Sequence, residues 1–317
     1  MAHVSNNGST FPPYRRRPRG ALLITLALLA VVAAAGAGAR LLWHPPGGNP
    51  SPTGAAAPGS PSPGTPAAEP PGGGTAPAPS PTSQTGRGTG TTPAGLRGKT
   101  ILLDPGHNPH NADHTQQIAR LVDIGNDRKE CDTTGTATNG GYAEAAFTLD
   151  VVRRARTLLE AAGAKVVLTQ DGDRPYGPCV DERAAAGNAA HADAAVSVHA
   201  DGSAPGNRGF HVILPDRVTA GAADTAPITG PSRELGERLA ADFAAATGSA
   251  RSNYLGHGTG LDVRADLGGL NLSTVPKVFI ECGNMRDPRD AAQLTDPAWR
   301  EKAARGITKG ITDFLTR

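Results

Sequence analysis

Ile101-Leu102-Leu103-Asp104-Pro105-Gly106-His107 is an apolar run that stops at a Pro-Gly break and delivers a histidine. Three consecutive aliphatic residues without polar alternation describe a short strand covered on both faces, the mark of a parallel sheet. In open α/β sheets the ligand crevice lies outside the carboxyl ends of the strands, so a histidine just past such an end is posed to face a cleft. A lone histidine after a turn is more often a surface or satisfied structural residue than a ligand, and the rest of the chain has to decide.

Downstream, Phe147, Val151, Ala155, Leu158 and Leu159 recur at helical spacing, with Arg153, Arg154 and Arg156 on the other side and Gly163 as the stop. Ala164-Lys165-Val166-Val167-Leu168-Thr169 then reads as a buried strand. Strand, helix, strand in that order calls for parallel pairing with a right-handed crossover. An Ala-rich helix over 181–191 leads to Ala194-Ala195-Val196-Ser197-Val198-His199, which repeats the first design and ends in a histidine. A strand over 209–215, an amphipathic helix over 232–246, a short buried strand over 276–280 ending in Glu281, and a helix over 297–315 complete the pattern. The fold expected is α/β: one catalytic domain with a mixed, largely parallel sheet flanked by helices on both faces. His211 lies inside its strand and is assigned to packing or solvent, and His257 to a loop. The polar stretch 108–141 has no sustained period beyond a short strand or turn near 118–122, and a loop of that length is either a functional lid or disordered.

The chain has 317 residues, but its first third has a different composition from the rest. Residues 1–20 form a tail with a basic cluster at Arg15, Arg16, Arg17 and Arg19. The uncharged run 21–39, within a segment 21–43, is close to the roughly 20 residues that cross a bilayer, and the arginines lie on its N-terminal side. It reads as a signal anchor in the cytoplasmic membrane or as a cleaved signal peptide, and either exports the C-terminal part of the chain. Residues 44–97 are dominated by Pro, Gly, Ala, Ser and Thr and read as a disordered linker, since they hold almost nothing to bury. The catalytic domain is then 98–317. A formal net charge of +2 gives no basis for nucleic-acid binding, and a monomer is expected. Cys131 and Cys179, in polar surroundings, are the natural disulfide pair in an oxidising compartment, with metal ligation as the alternative. Cys282 ends an apolar run and reads as packing.

These strands bring His107, His199 and Glu281 to one sheet edge, and Glu144 lies in the first turn of the helix after the long loop. Two histidines and a carboxylate with an open fourth position make the ligand set of a catalytic zinc, and a further carboxylate is what such a site needs as proton carrier. The candidates are His107, Glu144 and His199 as ligands and Glu281 as base. The alternative is two buried histidines and two ordinary glutamates, one favoured by its helix dipole; no HExxH signature decides between them.

Taken together, Leu103-Asp104-Pro105-Gly106-His107, Glu144 opening a helix, Ser197-Val198-His199-Ala200-Asp201 and Ile280-Glu281-Cys282-Gly283-Asn284 resemble the zinc-dependent N-acetylmuramoyl-L-alanine amidases that cleave peptidoglycan. The resemblance runs from about Lys99 to the C-terminus, with all four motifs in the family's order. It implies one Zn2+ held by His107, Glu144 and His199, with Glu281 as the catalytic glutamate. It also implies hydrolysis of the amide between the lactyl group of N-acetylmuramic acid and L-alanine of the stem peptide. After the catalytic glutamate the family usually shows Gly-Phe and then Ser-Asn, where this chain has Gly283-Asn284-Met285-Arg286-Asp287, so contacts with the stem peptide can differ. Another zinc hydrolase of the wall, a peptidase or deacetylase, and a non-catalytic wall-binding module are the competing readings.

Overall fold

In the computed structural model, residues 95–317 are described. The tail 1–20, the apolar segment 21–43 and residues 44–94 of the linker lie outside the described residues, and no helix among the described residues is long and apolar enough to cross a membrane. Leu96 is fully buried in the main core, so the folded part reaches back at least to it.

The chain order is β1 (Thr100–Pro105), β2 (Leu121–Asp123), β3 (Arg128–Glu130), α1 (Glu144–Ala161), β4 (Lys165–Leu168), α2 (Val180–Ala189), β5 (Ala194–Asp201) and β6 (His211–Pro215). It continues with the two-residue strands β7 (Thr219–Ala220) and β8 (Ala223–Asp224), then α3 (Thr229–Thr247), β9 (Leu261–Arg264), β10 (Lys277–Asn284), α4 (Pro288–Thr295) and α5 (Pro297–Leu315). Six strands form the central sheet in the order β4-β1-β5-β10-β6-β9. The first four run parallel, β6 is antiparallel to β10, and β9 is parallel to β6, so the sheet is mixed and largely parallel.

Period-two alternation within the apolar strands sorts their side chains onto two faces. Ile101, Leu103, Val196, Val198, Val278 and Ile280 enter the larger core, which α1, α3 and α5 cover with Phe147, Phe243 and Trp299. The opposite face carries Leu102 and Ala195 in a small cluster with Ala192 and Val275 beside α2. Asp104, Ser197, His199, Phe279 and Glu281 share that face by the same alternation. The larger core thus supplies the apolar burial, and the thinner face is free to carry chemistry.

Several elements differ from the sequence expectation. His199 and Glu281 do not lie past their strands: β5 continues to Asp201 and β10 to Asn284, because the two strands keep pairing, Glu281 with His199 and Asn284 with Asp201. The stretch 108–141 is not featureless. It holds a helical turn at Thr115–Ile118 and an antiparallel β2–β3 hairpin, both too short and too polar to give a period. The edge strand β9 lies between the helix read over 232–246 and the strand read over 276–280, where the sequence predicts no element. Helix α4 is announced by Asp287-Pro288, the Asp287 carboxylate capping the amides of Arg289 and Asp290. Cys131 and Cys179 form a disulfide, and Cys282 is a buried free thiol.

Candidate functional site

His107 follows β1 with a positive φ of 60°, a conformation that side chains other than glycine rarely adopt. Its neighbour Gly106 has no substitute there, since a Cβ would sit 2.3 Å from Cε1 of His199. The Pro-Gly break is therefore needed for the approach of two strands' histidines as well as for the turn. The two imidazoles meet edge to face with centroids 5.0 Å apart, and His199 stacks on Phe279 at 5.2 Å.

Glu144 joins them. Its Oε1 lies 3.1 Å from Nε2 of His107 and 3.0 Å from Nδ1 of His199. The carboxylate is itself held, with Oε2 accepting from the Thr136 amide at 2.9 Å and Oε1 from the Ala200 amide at 3.2 Å. The first turn of α1 therefore places an acid that does more than complement the helix dipole. One donor atom each from His107, Glu144 and His199 falls within a common span of 4.8 Å. Tetrahedral zinc with bonds near 2.0–2.2 Å keeps its donors about 3.3 Å apart, so this set fits the ion with small adjustment. Nδ1 of His107 points the other way, 3.1 Å from the Thr133 carbonyl oxygen and 3.3 Å from Oδ1 of Asp132, which turns Nε2 towards the other donors. Burial alone would lower the His107 pKa, but the charges of Glu144 and Asp132 override it and raise it to about 10. Metal binding at this nitrogen accordingly competes with a proton.

Glu281 is the register partner of His199 on the neighbouring strand and shares with His107, Glu144 and His199 the lining of one cleft of about 380 Å³. Its Oε2 finds no hydrogen-bond partner among the described residues. Burial, followed by the negative charges of Glu144 and Asp201, pushes its carboxyl well above the usual range. The structure thus brings together all four residues singled out by sequence. His211 packs edge to face on Tyr254 and is buried, as expected of a packing residue.

Sequence reasoning missed what lies behind the site. Arg183 of α2 is buried and donates to Asp104 at 2.7 Å, to Asp132 at 2.8 Å, and to the carbonyl oxygens of Pro105 and His107 at 2.8 and 3.1 Å. Asp104 also accepts from Ser197 and Thr169 at 2.6 Å each, and Lys277 stands 3.6 Å away. Burial would raise the Asp104 carboxyl, yet Arg183 and Lys277 hold it well below the usual range. Asp132, also opposed by burial, is brought down to about 2 mainly by Arg183. Two acids and two bases therefore fasten β1, α2 and the long loop together directly behind His107. The available signal was a charge where none belongs: Asp104 in an apolar strand and Arg183 in an Ala-rich helix. Within the stretch 108–141, Thr133 and Thr136 are walls of the site that bond His107 and Glu144.

Comparison with known proteins agrees with this arrangement. Residues 101–313 match the family described as N-acetylmuramoyl-L-alanine amidase. The chain is 39% identical over 225 residues to the N-acetylmuramoyl-L-alanine amidase Rv3717 of Mycobacterium tuberculosis, covering 71% of this chain and 89% of that protein. Among solved structures, it resembles the N-acetylmuramyl-L-alanine amidase Ami1 of Mycobacterium smegmatis with a TM-score of 0.64 at 40% identity, over 69% of this chain and 98% of that one. The apo form of Ami1 from Mycobacterium abscessus gives a TM-score of 0.63 at 38% identity, over 69% and 100% of the two chains. With the match spanning the sheet, the flanking helices and all four site residues, the chain belongs to the N-acetylmuramoyl-L-alanine amidase family.

Proposed function

We propose that this chain is a zinc-dependent peptidoglycan amidase that hydrolyses the bond between the lactyl group of N-acetylmuramic acid and L-alanine of the stem peptide. His107 Nε2, His199 Nδ1 and Glu144 are its zinc ligands, and Glu281 is its proton carrier. The observation that carries this reading is the convergence of those three donors beside a poorly solvated carboxylate on one face of the sheet. Zinc in that position supplies Lewis acidity, polarising the scissile carbonyl and making water acidic enough to attack near neutral pH. Glu281 accepts the proton of the attacking water and delivers it to the leaving amine nitrogen. Asp132 and Thr133 fix the tautomer and tilt of His107 from behind, and Phe279 fixes the plane of His199.

The family and its named relatives point to work in the cell envelope. We further infer that segment 21–43 exports the domain and holds it at the outer face of the cytoplasmic membrane, with residues 44–94 as tether; the basic cluster before an uncharged run supports this.

Mass analysis of products from defined muropeptides tests the activity. The expected result is release of stem peptides with a free L-alanine amino terminus, abolished by a chelator and restored by Zn2+. Cleavage within the peptide, loss of acetyl groups, or no cleavage by zinc-loaded protein would overturn it.

A further inference from the structure

Glu281 has a histidine opposite it on each neighbouring strand. On β5 the register partner is His199, whose Nδ1 is already committed to Glu144 at 3.0 Å. On β6 it is His211, in an antiparallel register that also sets Ile280 against Val212 and Phe279 against Ile213. Directly opposed residues share a face and keep their Cβ atoms about 4.5–5.5 Å apart. Val212 and Ile280 both enter the larger core, so His211 and Glu281 both lie on the opposite face, the one that carries the chemistry. Ile213 of β6 lines the cleft and His211 does not, so this imidazole acts on a bound substrate only through its neighbour.

Each member of the pair holds a buried polar atom that packing leaves unexplained. His211 is 1% exposed, and its Nδ1 has no hydrogen-bond partner among the described residues; Oε2 of Glu281 is in the same position. Buried polar atoms are seldom left unpaired in native proteins, and one hydrogen bond between these two satisfies both. Opposed positions of a ladder are within reach of such a bond after side-chain rotation. Tyr254 supports the imidazole from the other side, meeting it edge to face at 5.9 Å while its own Oη donates to Oδ2 of Asp201 at 2.6 Å. Burial, joined by the charge of Arg264, holds the imidazole below its usual range against the pull of Asp201 and Asp262. A neutral imidazole has one N–H to donate. Such a donor orients a carboxylate without cancelling its charge, so the carboxylate stays able to take up a proton.

Resting on the proton-carrier role proposed above for Glu281, we propose that His211 is a positioning residue whose Nδ1–H donates to Oε2 of Glu281 and fixes the orientation of that carboxylate in the cleft. Two measurements on full zinc-loaded protein test it. Nitrogen NMR of isotope-labelled histidine side chains reads the contact: Nδ1 of His211 is expected to carry its proton, and Glu281→Ala is expected to move that resonance. A ring protonated at Nε2, or a resonance indifferent to Glu281→Ala, would overturn the assignment. This arm needs no change at His211, so it decides even where a His211 variant does not fold.

Kinetics on muropeptides reads the consequence. His211→Leu removes the donor, and kcat is expected to fall at least about 10-fold with KM and zinc content near the parent values. The acid limb of its kcat profile should move to higher pH, because a hydrogen bond to the charged form of a carboxylate favours that form. His211→Asn, which keeps an N–H near the place of Nδ1, should recover most of the rate and the parent profile. In a Glu281→Ala background, His211→Leu should cost nothing further, since residues that act as a unit are not additive. An undiminished kcat in folded His211→Leu protein, or an equal loss in both backgrounds, contradicts the proposal. Parent protein that leaves the lactyl amide intact would instead refute the amidase reading, and the NMR contact would still decide whether His211 holds Glu281.

Discussion

Asp132 is the residue whose role is least visible in the sequence and best defined in three dimensions. It bonds Arg183 across 51 positions and reaches the imidazole of His107, while Arg183 reaches Asp104 across 79. Such pairs have no local pattern, whereas His107, His199 and Glu281 stand at or near the ends of apolar runs that do. Asp132 also gives a pH dependence with a definite sign. Its carboxyl is held at about 2 in the fold against an ordinary 3.8. The resulting stabilisation is therefore complete above pH 3.8 and is lost as pH falls through about 2. Its size is about 2 kcal/mol at neutral pH. Denaturant unfolding of metal-free parent and Asp132→Asn protein should show a gap of that order at pH 6 that shrinks as pH approaches 2. A gap that is constant with pH would mean that the charge of Asp132 is not what stabilises the fold.

At the scale of elements, the parallel strands were the legible part, because β1, β5 and β10 are apolar on both faces and end near turn residues. Less legible were β9, an edge strand of alternating Leu261-Asp262-Val263-Arg264, and the polar β2–β3 hairpin, since both draw their stability from tertiary contacts. Asn126 of the hairpin turn donates to the carbonyl oxygen of Ala265, and Asn271 donates to Asn126 in return. The Cys131–Cys179 bond fastens the same loop to the start of α2, and Asp132 and Thr133 come directly after Cys131. Closing a loop of 48 residues contributes about 4 kcal/mol at most in the chain-entropy model. Cys131→Ser with Cys179→Ser should lower the unfolding free energy by up to that amount. It should also weaken zinc retention, read by chelator competition, because the groups behind His107 lose their anchor. Unchanged zinc affinity in the folded double variant would separate the disulfide from the site.

Over the whole molecule, the described residues 95–317 gather the site from the turn after β1 and from α1, β5 and β10, and the segments before them carry the proposed anchor. The anchor reading is checked by the intact mass of protein extracted from membranes: the full chain is expected, and recovery solely of a soluble form beginning near Arg40 would show a cleaved signal. The central claim is that three side chains hold the metal while a fourth moves the proton, and zinc content measured beside turnover for Glu281→Ala tests it most directly. The account predicts a folded protein with about one zinc per chain and a rate on muropeptides lowered at least about 100-fold. His107→Ala, Glu144→Ala and His199→Ala should lose zinc and activity together. A zinc-loaded Glu281→Ala protein that hydrolyses muropeptides near the parent rate would contradict it.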